Sequence, residues 1–431
     1  MIRPQLFPSG PSYQAVIRAL LRMHRFTLEG KDESEEAELF RESMSGFWES
    51  LSKVERERVN GLSIDLYEIS DHPGRAPEPM NPQAQRRLGE VSKAVEWEEW
   101  DRALGLLRRW GKYVPASRIA YLRGTIWRSA GDAATAVVFF EHACQLDAGN
   151  EFFQAALLDA LETADPKEAA ARAEVILQNS ETRNPIVVLT AAGAVFTPAR
   201  EMPALDASTT YRRLIPILEQ TLARVEGDAD LDYPAPRGMA LVLLATCCRE
   251  IGETQEAYGY YSRAIQLDPN NSELLIARGM LMYGTDPSPA ADFERAIRLG
   301  SRLVAPYFYL ARHYLANNLF EKCRSMCERG LQCFASARAQ SELWELLAIS
   351  LTTLGCPERD IRLAFENSIR VDPSNVRARR NLEIFQAAVP PLAPQPENWE
   401  GGSESSLRAP AQEEKVWPEA APLERRAMAM L

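Results

Sequence analysis

The sequence predicts an all-α protein: a solenoid of stacked antiparallel helix pairs, with an N-terminal helical cap and a disordered C-terminal tail. Three observations carry that prediction. A short phrase recurs along the chain, CQLDAGN at 144–150, IQLDPNN at 265–271 and IRVDPSN at 369–375. Around each copy, small and large residues alternate at helical spacing on two successive segments. A turn signal separates those two segments. A phrase that returns within one chain marks a repeated building block, and such blocks bury their apolar faces only by stacking on one another.

Composition sets the frame. The 431 residues are 46% hydrophobic and 25% charged, which is ordinary for a globular chain and ample for a core. Length alone would suggest two or three domains, but a repeat array does not follow that rule. A net charge of −11 argues against a nucleic-acid partner, which calls for a basic face. The 7 cysteines lack paired spacing, so they point to a reducing compartment and a cytoplasmic protein rather than a disulfide framework. MIRPQLFPSGP places prolines where the apolar core of a signal peptide would begin. The longest apolar stretches, near 186–196 and 239–248, are too short to insert across a bilayer.

In chain order, residues 1–72 form the N-terminal segment. YQAVIRALLRMHRFTL sets Val16, Ile17, Leu20 and Leu21 against Arg18, Arg22 and Arg25, which predicts an amphipathic helix with its apolar face buried on the helices that follow. ELFRESMSGFWESL predicts a second helix carrying Leu39, Phe40, Met44, Phe47, Trp48 and Leu51. Ser52 and Glu55 have capping-box spacing for a third, short helix. Proline-rich 73–83 reads as a linker and 84–388 as the repeat array. At 84–116 only a second helix is legible, through Ala103, Leu107 and Pro115. At 151–236 helices persist but their anchors blur; either a helix pair is distorted there or 197–208 forms an extra loop on the groove. From 389 to 431 the composition cannot bury a core; Pro391 and Pro394 form a PxxP of a kind common by chance.

The repeat is clearest at 117–150, 238–271, 272–303, 304–337 and 341–375. In one copy Leu241, Leu244, Ala245 and Cys248 precede Gly252, followed by Ala257, Tyr261, Ala264 and Pro269. Gly124, Trp127, Gly131, Ala136, Phe140 and Ala143 form an earlier copy. Tyr307, Leu310, Ala311 and Tyr314 lead to Cys323, Cys327 and Gly330; Trp344, Leu347, Ala348 and Leu351 lead to Ile361, Phe365, Ser368 and Pro373. The small anchors Ala245, Gly279, Ala311 and Ala348 are spaced by 34, 32 and 37 residues. Small residues allow helix backbones to approach, large ones fill the gaps, glycine permits the tight turn, and proline stops the second helix. This pattern resembles the tetratricopeptide repeat (TPR) family, specifically over 117–150 and 238–375 and more weakly elsewhere.

Resemblance to TPR proteins implies a non-catalytic scaffold or adaptor that binds a partner peptide or helix in a concave groove lined by the first helix of each pair. The family register assigns Tyr121, Thr125 and Arg128 to that groove, then Val242, Thr246 and Arg249, then Ile276, Met280 and Tyr283, then Phe308, Arg312 and Leu315. Aromatic and arginine side chains are the usual interface hot spots. Arg128, Arg249 and Arg312 point to an acidic or C-terminal carboxylate ligand; alternatively they are solvated or paired within the groove. Chaperone-binding members use a lysine–asparagine–arginine clamp, and the corresponding positions here hold Val242, Thr246, Ala277, Ala305 and Tyr309. Recognition of Hsp70 or Hsp90 tails is therefore not expected.

The sequence lacks a P-loop, GxSxG, HExxH or dinucleotide glycine fingerprint, so no catalytic residue and no cofactor is assigned. Cys323, Cys327, Cys333 and His313 could suggest zinc, but Cys323 and Cys327 occupy packing positions of their repeat. Asp228, Asp230 and Asp232 have calcium-loop spacing, yet Tyr233 and Met239 stand where glycine and glutamate are needed. The other reading is a targeting or regulatory subunit of an enzyme complex.

Overall fold

Every regular element among the described residues is a helix, and the recurring phrase supplies the caps that separate one helix pair from the next. Asp268 ends a helix, with its N–H on the Ala264 carbonyl, and Asn271 opens the following one by accepting from the Glu273 and Leu274 N–H groups. Asp372 and Asn375 repeat this, with Asn375 accepting from the Ala378 N–H at 3.0 Å. Asp147 ends its helix in the same way and Asn150 precedes the next. Asn271 and Asn375 thereby satisfy orphan N–H groups at the helix starts, whereas Asn150 makes no side-chain cap. The computed structural model describes residues 10–71, 74–227, 234–283, 290–333 and 335–388. The tail with its PxxP, the aspartates at 228–232, and the TDPSP stretch lie outside the described residues.

The chain divides into two compact units, Met1–Asp232 and Tyr233–Leu431. The first contains α1 (Pro11–Leu28), α2 (Glu35–Glu49) and α3 (Lys53–Asp71). The pairs α4 (Pro82–Glu96) with α5 (Trp100–Trp110), α6 (Ala116–Ser129) with α7 (Ala133–Leu146), and α8 (Glu151–Ala164) with α9 (Pro166–Leu177) follow, then α10 (Pro185–Ala199) and α11 (Ala204–Gly227). The second contains α12 (Pro234–Glu250) with α13 (Thr254–Leu267), α14 (Ser272–Leu281) with α15 (Ala290–Arg298), α16 (Ala305–Ala316) with α17 (Phe320–Gly330), α18 (Ala337–Thr353) with α19 (Glu358–Val371), and a last helix α20 (Val376–Ala388). In the first unit α1 packs on α2 and α3, and α4 to α11 each pack on the next in sequence; in the second, α12 to α20 do the same, and α6 on α8, α8 on α10, α14 on α16 and α16 on α18 pack as well.

The small anchors do what their size suggests. A Cβ on Gly124 would lie 2.6 Å from the Phe140 ring, and one on Gly279 would lie 2.8 Å from the Phe293 ring. Each aromatic of the second helix is thus seated on the bare backbone of the first. Ala245, Ala311 and Ala348 are fully buried at the equivalent positions. In five pairs the turn uses a left-handed residue: Gly131, Gly252 and Gly355 provide it, while Glu98 (φ 60°) and Asn318 (φ 58°) adopt it despite their side chains; α8 and α9 instead turn at Asp165 (φ −148°).

The N-terminal helices differ from expectation in length and exposure. Ser52 and Glu55 do form the capping box, the Ser52 N–H donating to Glu55 at 2.8 Å and the Glu55 N–H to Ser52 Oγ at 3.3 Å. The helix they start is α3, which is long because the apolar positions Val59, Leu62, Leu66 and Ile69 continue its buried stripe. Val16, Ile17 and Leu21 of α1 are buried as expected, whereas Leu39 of α2 is 62% exposed and Phe47 is exposed too.

Three further differences concern the array. A first helix, α4, begins at Pro82, inside the stretch read as a linker; Asn81 caps it through the Ala84 N–H and only Ala84, Val91 and Ala94 are buried, a stripe too thin to read in sequence. The supposed loop at 197–208 is mostly helix, with only 200–203 between α10 and α11. The anchors blur at 151–236 because α10 is buried nearly all round, from Val187 to Phe196, so no single face stands out. Cys323 and Cys327 are fully buried on α17 as small packing residues, and no cluster of metal-binding side chains occurs among the described residues. No described helix is long and apolar enough to cross a membrane.

Candidate partner-binding surface

The first helices of the pairs carry the side chains assigned to a groove, and the structure sorts them into satisfied and available ones. In the first unit, Tyr121 of α6 stacks on Phe153 of α8 at 5.0 Å between ring centroids and tilts on Phe140 at 5.8 Å. The Thr125 hydroxyl donates to the Tyr121 carbonyl. Arg128 pairs with Asp159 of α8 at 2.8 Å. Tyr121 and Arg128 therefore tie successive first helices together and have little left to offer a ligand.

In the second unit, Val242 and Thr246 of α12 are buried, Thr246 at 1% exposure. The Thr246 hydroxyl donates to the Val242 carbonyl at 2.7 Å, in the seam that also holds Tyr261. The register placed Thr246 in the groove, but here it sits under the second helix, satisfied by its own backbone. Ile276 is likewise fully buried. Arg249 reaches Glu250 at 2.5 Å and the Tyr261 hydroxyl at 3.3 Å, so it too is engaged.

The remaining candidates come together on α14 and α16. Met280 is 39% exposed and Tyr283 is half-buried one turn further along. Phe308 is half-buried and Arg312, one helical turn on, is exposed. The Arg312 guanidinium lies 5.6 Å from the Phe308 ring centre and 5.7 Å from that of Tyr283, a distance at which a cation is attracted by both ring faces. Leu315 is half-buried at the next turn of α16.

Tyr309 completes this arrangement. Its ring is 4.7 Å from Tyr283, 5.4 Å from Phe308 and stacked at 5.4 Å on Phe293 of α15. Burial raises its phenol pKa, and Arg312 opposes that shift. Sequence reasoning noted Tyr309 only as a position lacking a clamp residue. Its role as the hinge of the aromatic set could have been found from its i+1 placement after Phe308 and its spacing to Phe293, but only the packing of α15 against α16 brings those rings together.

The electrostatics separate Arg312 from the other two arginines. Arg128 and Arg249 both have a carboxylate in contact. Among the described residues Arg312 has no carboxylate within ion-pair distance; its contacts are the two rings. Glu342 of α18, the acidic group that also influences Tyr309, is held by Arg338 at 3.2 Å. The result is a cation displayed on an aromatic floor.

No family model matches the sequence, and no curated protein does. Solved structures similar to it include a tetratricopeptide repeat protein from Parabacteroides merdae, 14% identical over 63% of this chain and 100% of that one, with a TM-score of 0.42. PilF of Pseudomonas aeruginosa is 16% identical over 63% of this chain and 97% of its own, at a TM-score of 0.36. The C-terminal part of a TPR repeat-containing protein from Cytophaga hutchinsonii is 12% identical over 68% and 99%, at 0.35. By the packing of its own helix pairs, with Gly124 against Phe140 and Gly279 against Phe293, the chain is an all-α array of repeated antiparallel helix pairs.

Proposed function

We propose that the chain is a non-catalytic, cytoplasmic scaffold that holds a segment of a partner protein on the α14–α16 surface. The observation that carries this reading is Arg312, exposed on an aromatic floor and lacking a carboxylate among the described residues. A ligand carboxylate on Arg312, with an apolar side chain on Phe308, Tyr309 and Met280, fits both the charge and the shape. The partner is accordingly an acidic peptide or helix. Tyr121, Arg128, Thr246 and Arg249 hold the helices in place and are left out of the contact set.

The test is a crosslinked capture from native extract with the full chain and with an Arg312→Ala, Phe308→Ala double variant, after circular dichroism shows equal helicity. A protein captured by the parent and weakened about tenfold or more by the variant supports the reading. An unchanged set of captured proteins would move the site to the exposed face of α2 and α3.

A further inference from the structure

The first unit holds a cavity that shares no residue with the α14–α16 surface. It measures about 40 Å³ and lies between the end of α3, the segment at 75–76, the single turn at Gly111–Tyr113, the first half of α6, and α7. We propose that this cavity binds a small-molecule carboxylate on a short aliphatic stem, its carboxylate held by Arg123, Lys112 and the open first turn of α6. The proposal stands independently of the partner reading.

Charge is the first support. Arg75, Lys112, Arg123 and Glu68 line the cavity, and so does His142. Arg123 is 3% exposed; its Nη2 makes both of its ion pairs, with Asp65 and Glu68, while its buried Nε makes no hydrogen bond among the described residues. A buried donor without an acceptor is costly, so an acceptor that enters gains by satisfying it. Asp65 and Glu68 are balanced by Arg108 and Arg123. Glu78 is shared by Arg75 at 3.0 Å and Lys112 at 2.9 Å, which leaves one positive charge uncompensated within this set. α6 adds the partial positive charge of its N-terminus: its N-cap is Pro115, which offers no side-chain acceptor, and Ala116 of its first turn lines the cavity. That surplus suits a monocarboxylate better than phosphate near its dianion.

Size and lining are the second. One water needs about 10–15 Å³ of such space, so the cavity takes about three waters or a molecule of roughly four to five heavy atoms. Ile69, Val114 and Ile119 supply an apolar wall, which suits a short alkyl stem. The cations are also positioned in advance. The Glu78 N–H donates to the Lys112 carbonyl at 2.9 Å, and the Glu78 carboxylate holds both Arg75 and Lys112. Groups ordered before the ligand arrives cost less to bind it.

The test is a titration of the full chain, carrying isotope-labelled histidine, with sodium propionate as the probe. The chain has 4 histidines, so the His142 ring signal is assigned by its loss in His142→Gln. Propionate should shift that signal saturably, with a dissociation constant of about 1 mM, while the His313 signal stays in place. Ala116→Asp puts a carboxylate at the N-terminus of α6, where it suits the helix, and should abolish the shift without lowering the unfolding temperature. Lys112→Gln, at a largely exposed side chain, should weaken binding about threefold or more. The proposal is overturned by a His142 signal that propionate does not move, by an equal shift with sodium chloride at the same ionic strength, or by inorganic phosphate binding more tightly than propionate. It is overturned as well if Ala116→Asp leaves the shift unchanged. Should that variant unfold more easily, Lys112→Gln decides, and an unchanged affinity overturns the proposal.

Discussion

Asp65 and Arg123 form an ion pair from which water is excluded: the carboxylate has no exposed surface, the arginine is 3% exposed, and they lie 3.0 Å apart. Arg108 adds a second guanidinium at 3.0 Å from the other carboxylate oxygen. Arg123 continues to Glu68 at 2.6 Å. About two turns earlier on α3, buried Arg58 makes a bidentate contact with Asp101 of α5 at 2.7 and 2.6 Å. α3 is thus fastened to α5 and α6 by one buried charge cluster and one half-exposed ion pair rather than by apolar contact alone.

Removing the centre of such a cluster leaves buried charge uncompensated. Asp65→Asn should destabilise the first unit by about 3–5 kcal/mol. Glu174→Gln, which breaks the largely exposed pair with Arg213, should cost about 1 kcal/mol or less. Urea unfolding followed by hydrogen exchange in α3, α5 and α6 distinguishes the two, and equal shifts would show that burial of the first pair confers nothing.

The two seats for aromatic rings make a paired prediction. Gly279→Ala must push the Phe293 ring aside and should cost about 1–3 kcal/mol. Gly259→Ala, in α13 with open space around it, should stabilise by up to about 1 kcal/mol through helix propensity. Thermal unfolding of both variants checks this; a stabilising Gly279→Ala would mean that the second helix can shift without loss.

His24 of α1 and His142 of α7 are buried, and burial lowers the pKa of each below its ordinary 6.5, with His142 adding to the effect on His24. The folded state keeps them neutral while the unfolded chain takes up protons. Their contribution is therefore present above about pH 6.5 and is lost as pH falls through the lower folded-state values. Stability of the first unit should drop between pH 7.5 and 5.5, and His142→Gln should flatten that dependence. A slope unchanged by His142→Gln would assign the effect to other groups.

Glu345 is fully buried on α18 and accepts from Arg377 at 2.5 Å and Asn381 at 2.9 Å, both on α20. Glu345→Ala should loosen α20 selectively. Because Arg377 is 60% exposed and can turn to water, the cost should be about 1–3 kcal/mol rather than that of stranding a buried charge. Faster amide exchange over 376–388, with α16 and α17 unchanged, is the expected result; unchanged exchange would mean that α20 is held by other contacts.

Much of the architecture was legible in the residues because it is local. The LDPNN phrases are caps, and a cap acts on backbone groups two or three residues away. Gly124 and Phe140 could be placed in one repeat copy because one helix pair spans only a short sequence interval, and Gly279 could be read as a small anchor. α4 was missed because three buried residues scarcely mark a face, and α10 was blurred because all its faces are buried. The groove register failed at Thr246 and Arg249 for a related reason: position along a helix does not say whether a neighbour's Tyr261 will cover it.

The sequence by itself determined the helices, their pairing and their turns, since these depend on capping, periodicity and close approach within about 35 residues. Tertiary structure alone decided which polar groups are satisfied. Asp65 meets Arg108 and Arg123 from 43 and 58 positions away, Arg128 meets Asp159 on the next pair, and Arg312 lies against the rings of Tyr283 and Phe308. A charged side chain carries no mark of its future partner, because long-range packing assigns it.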